Sequence, residues 1–354
     1  MSTNTDRKAA VKKLRTLVLT PKADVEEFRT RIEDTFSTIF LPNNVEREER
    51  DIGGVRCDLL VPELYSAQRV MLYVHGGSFA GGSRASYRNF CSSLANSCSC
   101  RVVVPEFKLP PTHPFPASID NVMAVFQALY EEAQDSGGGG RDSGGRLSDS
   151  GGGVSDSGGA GQNSGSEPRK IILAADGSGA SIALAVFLRL EQQQRPCVGN
   201  IVLFSPWLDV ASDCPQIKGR HVHDEVISGN DMHRAVDLYT YASNFTNPLV
   251  SPLRASGEDF EGCPPVYIQL GAGEMLYDQS ETFRQKLVGA GVSVIMDIWP
   301  DMMYMFQMAD EFLPESHLAV EKLGKFINRR DDTEDEATRR EREEILRKNN
   351  IVRE

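Results

Sequence analysis

The stretch Lys170–Leu188, KIILAADGSGASIALAVFL, decides the fold. Its first six residues form an apolar run of strand length, and the residues from Ala180 onward, ASIALAVFLRLEQQ, read as a helix rich in small side chains. Between them the turn AADGSGAS has room for a sharp strand-to-helix reversal, because glycine accepts the backbone angles such a turn demands. Turns of this kind hold a nucleophile at the top of a sheet. Here the tip falls on Gly177, with Ser178 one position later.

Working outward, the same alternation recurs. Strand patterns at 54–62, 69–74, 100–107, 200–205, 264–271 and 292–299 are interleaved with helical patterns such as FPASIDNVMAVFQALYEE, ETFRQKLVGAG and LAVEKLGKFINRR. Near-continuous apolar strands alternating with helices predict an α/β fold with a mostly parallel sheet covered on both faces. In such sheets ligands sit beyond the carboxyl ends of the strands. Two glycine turns lie at such ends, HGGSFAGGS after the strand at 69–74 and the turn at Gly177.

The rest of the chain divides by composition. Residues 1–45 carry two amphipathic helical patterns separated by Thr20-Pro21, expected as cap helices. Residues 46–328 form the main domain, with a polar, irregular cap region at 209–250 that holds one helical pattern, DMHRAVDLYTYA. From 135 to 166 the chain is nearly all Gly, Ser and Asp, with DSGG recurring at Asp135, Asp142, Asp149 and Asp156. That seven-residue period has no apolar seam, which excludes a coiled coil and predicts a disordered insert. Residues 329–354 are helix-prone but polar on every side, a solvated tail. Either the insert or the tail could meet a protein partner.

A net charge of −12 argues against nucleic-acid binding. No run approaches the ~20 apolar residues of a membrane span, and the N-terminus lacks a signal-peptide pattern. Seven scattered cysteines fit neither a zinc site nor a redox pair, and read as reduced thiols in a cytoplasmic protein. No metal or cofactor is expected.

Several motifs, in order, resemble the hormone-sensitive-lipase-like carboxylesterase group of α/β-hydrolases over residues 45–328. LYVHGGSFAGGSRASYRNF is similar to that group's oxyanion loop, and EFKLPPTHPFPASIDNV to the segment that follows it. FSPWLDV, NPLVSPL, GAGEMLYDQS and WPDMMYMFQM come next at family-like intervals. The resemblance implies acyl transfer by a serine, a histidine and an acid, with backbone N–H groups binding the oxyanion. It places His75, Gly76, Gly77 and Ser78 in the oxyanion loop. Gly76 and Gly77 are the expected donors, joined by the N–H of Ser178, and Ser78 stands where the group has a third glycine. It also places Glu274 at the acid position.

Two members of that machinery are missing. The family elbow reads Gly-Asp-Ser-Ala-Gly-Gly-Asn, and Asp176 and Gly179 fix a register that puts Gly177 at the serine position. Ser178 then begins the helix and is expected to point away from the pocket. The histidine position is Tyr304, a poor general base at neutral pH. Loss of either group alone costs about a million-fold in a serine protease. The sequence therefore implies a hydrolase-fold pseudoenzyme that binds a lipophilic or carboxylate-bearing small molecule, or a protein partner. The alternative is an active carboxylic-ester hydrolase with a non-standard constellation, such as Ser178 with a displaced base.

Overall fold

In the computed structural model the described residues are 3–37, 41–42, 44–137, 169–211 and 224–329. Eight strands form one sheet: β1 (Val45–Ile52), β2 (Val55–Pro62), β3 (Arg69–Val74), β4 (Arg101–Pro105), β5 (Lys170–Asp176), β6 (Val198–Phe204), β7 (Val266–Gly271) and β8 (Val294–Trp299). They lie in the order β1-β2-β4-β3-β5-β6-β7-β8. The β1–β2 and β2–β4 pairings are antiparallel, and all others are parallel. This is the mostly parallel sheet the alternating pattern predicts.

Strand β3 is buried along its whole length, and β5 is buried from Ile171 onward, so their side chains meet helices on both faces. The two strands are hydrogen-bonded neighbours at the centre of the sheet. Their two glycine turns therefore emerge side by side at one rim. Helix α5 (Gly177–Arg189) starts at Gly177 itself, three residues earlier than its apolar pattern suggests, and is buried from Gly177 to Phe187. It has to be built from small residues, because a Cβ on Gly179 would overlap the carbonyl oxygens of Val74 and His75. The remaining α-helices among the described residues are α1 (Asn4–Leu14), α2 (Val25–Phe36), α3 (Arg84–Ser97), α4 (Ala117–Gly137), α6 (Gly229–Tyr239), α7 (Tyr277–Gly289) and α8 (Pro314–Asn328).

Two elements differ from the sequence expectation. Strand β1, VEREERDI, buries only its end residues and exposes a run of charges, so it carries no apolar signal. Its charges are those that protect a sheet edge from further pairing. Helix α4 continues through Asp135 to Gly137, three residues into the expected insert. The rest of that insert, the tail beyond Arg329 and part of the 209–250 region lie outside the described residues. No helix among the described residues is long and apolar enough to cross a membrane.

Candidate active site

The site is built from residues at the carboxyl rim of β3, β5, β6, β7 and β8. At its centre, Gly177 adopts φ +46°, a conformation that glycine takes without the steric penalty a side chain incurs. A Cβ built on Gly177 would lie 3.3 Å from Tyr304 Cζ and overlap the Tyr304 hydroxyl oxygen outright. The phenol therefore fills the place from which a side chain at 177 would project. Tyr304 is almost fully buried, and its hydroxyl makes no hydrogen bond among the described residues. Burial raises its pKa well above the usual tyrosine range, and the Asp176, Glu274 and Asp224 carboxylates push it the same way. The hydroxyl keeps its proton at neutral pH and is a donor, not a base.

Asp176, the last residue of β5, ties the elbow to the oxyanion loop. Its Oδ1 accepts from the Tyr73 hydroxyl at 2.8 Å and from the Gly76 N–H at 2.8 Å, and its Oδ2 accepts from the Tyr87 hydroxyl at 2.9 Å. Burial pushes the carboxyl up to about 6, against these hydrogen bonds, which favour the ionised form. The bond from Gly76 corrects one donor assignment. That N–H points at Asp176 and has no capacity left for an oxyanion. The Gly77, Ser78 and Ser178 N–H groups donate to no partner among the described residues, the last because it lies in the first turn of α5.

Ser178 also departs from expectation. Its hydroxyl does not point away from the pocket but accepts from the Phe79 N–H at 2.9 Å, across the two turns. Ser78 and Phe79 both sit at positive φ, +54° and +59°. What offsets this strain at Ser78 is its side chain. The Oγ accepts from the Leu19 N–H at 3.1 Å and donates to the Leu17 carbonyl at 3.4 Å, fastening the N-terminal segment to the loop. Arg29 of α2 adds donors to the Ala80 and Pro110 carbonyls.

His75 is buried between Phe107 and Tyr87, with ring centroids 4.2 and 5.2 Å away. Burial lowers its pKa to about 4, so it is neutral, and its Nδ1 contacts the Gly76 carbonyl at 2.9 Å. Of the other histidines, His113, His233 and His317 are exposed, and His221 and His223 lie outside the described residues. No imidazole lines the cavity beside Tyr304 among the described residues.

Glu274 follows β7 and is fully buried. Its Oε1 accepts from the Ser205 hydroxyl at 2.9 Å and the Gly271 N–H at 2.5 Å. The Ser205 Oγ in turn accepts from the Met305 N–H at 3.2 Å. A hydrogen-bonded chain thus joins the acid position to the residue next to Tyr304. Ser205 lies in the FSPWLDV motif, but only the fold reveals its contact with Glu274.

The cavity bordered by Val18, Ser78, Ser178, Trp207, Asp231 and Tyr304 is about 10 Å³, room for about one water molecule. Phe79 of the oxyanion loop stacks on Tyr239 of α6, with centroids 4.0 Å apart. A larger cleft of about 480 Å³, lined by Phe36, Asn89, Gln307 and His317 among others, contains none of the elbow or oxyanion-loop residues. No cluster of three His, Cys, Asp or Glu side chains able to hold a metal occurs among the described residues.

A family model described as an alpha/beta hydrolase fold matches residues 71–308, which include both turns, Glu274 and Tyr304. The chain belongs to the α/β-hydrolase fold family. This α/β-hydrolase is 28% identical over 259 residues to an acetyl-hydrolase of Streptomyces hygroscopicus, covering 73% of this chain and 75% of that protein. It is 29% identical over 276 residues to an esterase of Acinetobacter venetianus, covering 78% and 79%. Its fold matches the crystal structure of an esterase from the bacterial hormone-sensitive lipase family, with TM-score 0.76, 24% identity, and 93% and 99% coverage.

Proposed function

We propose that this α/β-hydrolase is a non-catalytic member of its family, a cytoplasmic protein that keeps the esterase scaffold as a binding site. The ligand is a small, largely apolar molecule carrying an oxygen acceptor, or a segment of a protein partner. The observation that carries this reading is the Tyr304 hydroxyl standing in the place of a side chain at Gly177. An acyl-transfer site needs an attacking hydroxyl there and an imidazole beside it, and the two positions hold a glycine and a protonated phenol. The remaining donors, Gly77, Ser78 and Ser178 N–H, support retention of an oxygen-binding cradle. The apolar walls supplied by Val18, Trp207, Ile227, Met232 and Leu276 support a lipophilic ligand. The scattered, mostly buried thiols support a reducing compartment.

The other reading, an ester hydrolase working through Ser178, has the named activities of the relatives in its favour. Against it stands the engagement of Ser178 Oγ by the Phe79 N–H. A short-chain p-nitrophenyl ester assay, run with a fluorophosphonate probe and intact-mass detection, separates the two. No turnover and no added mass are expected; a covalent adduct on Ser178 would overturn the non-catalytic reading.

A further inference from the structure

The cleft of about 480 Å³ that stands apart from the elbow is of the size that small-molecule sites have. One of its walls is helix α3, which buries Tyr87, Cys91, Leu94 and Ala95 in the core and presents Ser86, Asn89, Ser93, Asn96 and Ser97 to the cleft. Steps of three, four, three and one residues place these five on one face of the helix. At 1.5 Å per residue they form a row about 16 Å long. Helix α3 packs against both α2 and α8, and a helix face turned toward its neighbours normally carries apolar side chains. Here small polar side chains keep the space open.

The wall has hydrogen-bonding capacity to spare. The Asn89 amide and the Ser97 hydroxyl donate to no partner among the described residues. Gln307, which also lines the cleft, is only 2% exposed. Its Nε2 donates to Gln269 Oε1 at 3.0 Å, while its own Oε1 meets no donor among the described residues. A buried oxygen of that kind ordinarily has a partner. Asp310 and Glu321 add carboxylate acceptors, and Phe90 and Val320 add apolar surface. Such a lining suits a ligand whose own groups both donate and accept, as hydroxyls do. An apolar ligand would leave the same polar groups without partners.

We infer that the cleft between α2, α3 and α8 is a second ligand site, which takes an uncharged polyhydroxylated molecule of sugar size. Asn89, Ser93 and Ser97 hold it along one side, and Gln307 lies beneath. None of the elbow or oxyanion-loop residues lines this cleft, so the inference stands whether or not the elbow is catalytic.

The test titrates maltose, cellobiose and sucrose into the full chain, with cyclohexanol as an apolar ring of similar size to one sugar unit, and follows each by ligand-observed NMR. At least one of the sugars is expected to saturate, and to bind at least about ten-fold more tightly than cyclohexanol. Asn89→Ala should weaken that sugar about three- to ten-fold, the range for one hydrogen bond to a neutral group. Ser93→Phe places a ring in the cleft from a half-buried position and should abolish binding. Thermal unfolding checks that both variants are folded, and Asn89→Ala decides the matter should Ser93→Phe fail to fold. Saturation by none of the sugars, cyclohexanol binding as tightly as the best of them, or an affinity unchanged in the folded variants would overturn the inference. Ester turnover at the elbow would overturn the non-catalytic reading and leave this one untouched.

Discussion

The Tyr304 hydroxyl and the α-carbon of Gly177 are packed so closely that no side chain fits between them. Tyr304 lies after β8 and Gly177 opens α5 directly after β5, and the sheet order brings them together across two intervening strands. Each position accounts for the other: the glycine makes room for the phenol, and the phenol fills the space left by a missing side chain.

Restoring a serine alone should therefore be harmful. Gly177→Ser is expected to destabilise the protein by about 1–3 kcal/mol, the usual range for overpacking, without producing ester turnover. Combined with Tyr304→His, most of that loss should disappear and p-nitrophenyl acetate hydrolysis should become measurable, because the chain from Glu274 through Ser205 to Met305 is already in place. A double-mutant cycle of urea unfolding measures the coupling. Additive effects of the two substitutions would count against the steric account.

Ser178→Ala removes the acceptor for the Phe79 N–H and leaves that buried donor without a partner. The expected loss is about 1–3 kcal/mol, read as a lowered urea midpoint. Any hydrolysis that disappeared with this substitution would point to Ser178 as a nucleophile.

Two buried groups give opposing pH dependences. His75 titrates at about 4 in the folded protein against 6.5 ordinarily, so the unfolded chain binds more protons between these values. Its contribution falls as the pH falls from about 6.5 to 4. Asp176 is raised from 3.8 to about 6, so the folded protein binds more protons there, and its contribution rises over nearly the same window. Relative to the parent chain, Asp176→Asn should lose stability on acidification from about pH 6.5 to 4.5, and His75→Gln should gain it. Unfolding curves at the two pH values check both signs.

Ser78→Gly relieves the positive φ but removes both hydrogen bonds to the N-terminal segment. The two effects oppose, so global stability should change by less than about 1 kcal/mol. Limited proteolysis is the more sensitive readout. Cleavage between Leu14 and Val25 should accelerate several-fold.

Much of this arrangement was legible in the sequence, for a physical reason. The elbow and the oxyanion loop are set by short-range patterns, apolar strands ending in glycine turns, whereas Glu274 and Tyr304 are placed by motifs that resemble those of the carboxylesterase group. Strand β1 was not legible, because an edge strand covered in charge has no apolar alternation to read. The use of the Gly76 N–H by Asp176 was hidden as well, since a backbone donor has no letter of its own. Ser178 was misjudged because its hydroxyl answers a donor 99 residues away. The same holds for the overlap of Tyr304 with position 177, which exists only once the sheet has placed two distant loops together.

The packing at Gly177 also orders history. On any path of single substitutions from a serine–histidine ancestor, a tyrosine arriving while the serine remained would have met an occupied site. On such a path the overlap favours glycine at 177 before tyrosine at 304. A serine at 177 beside the present tyrosine meets the same overlap, so the two positions constrain each other's replacement.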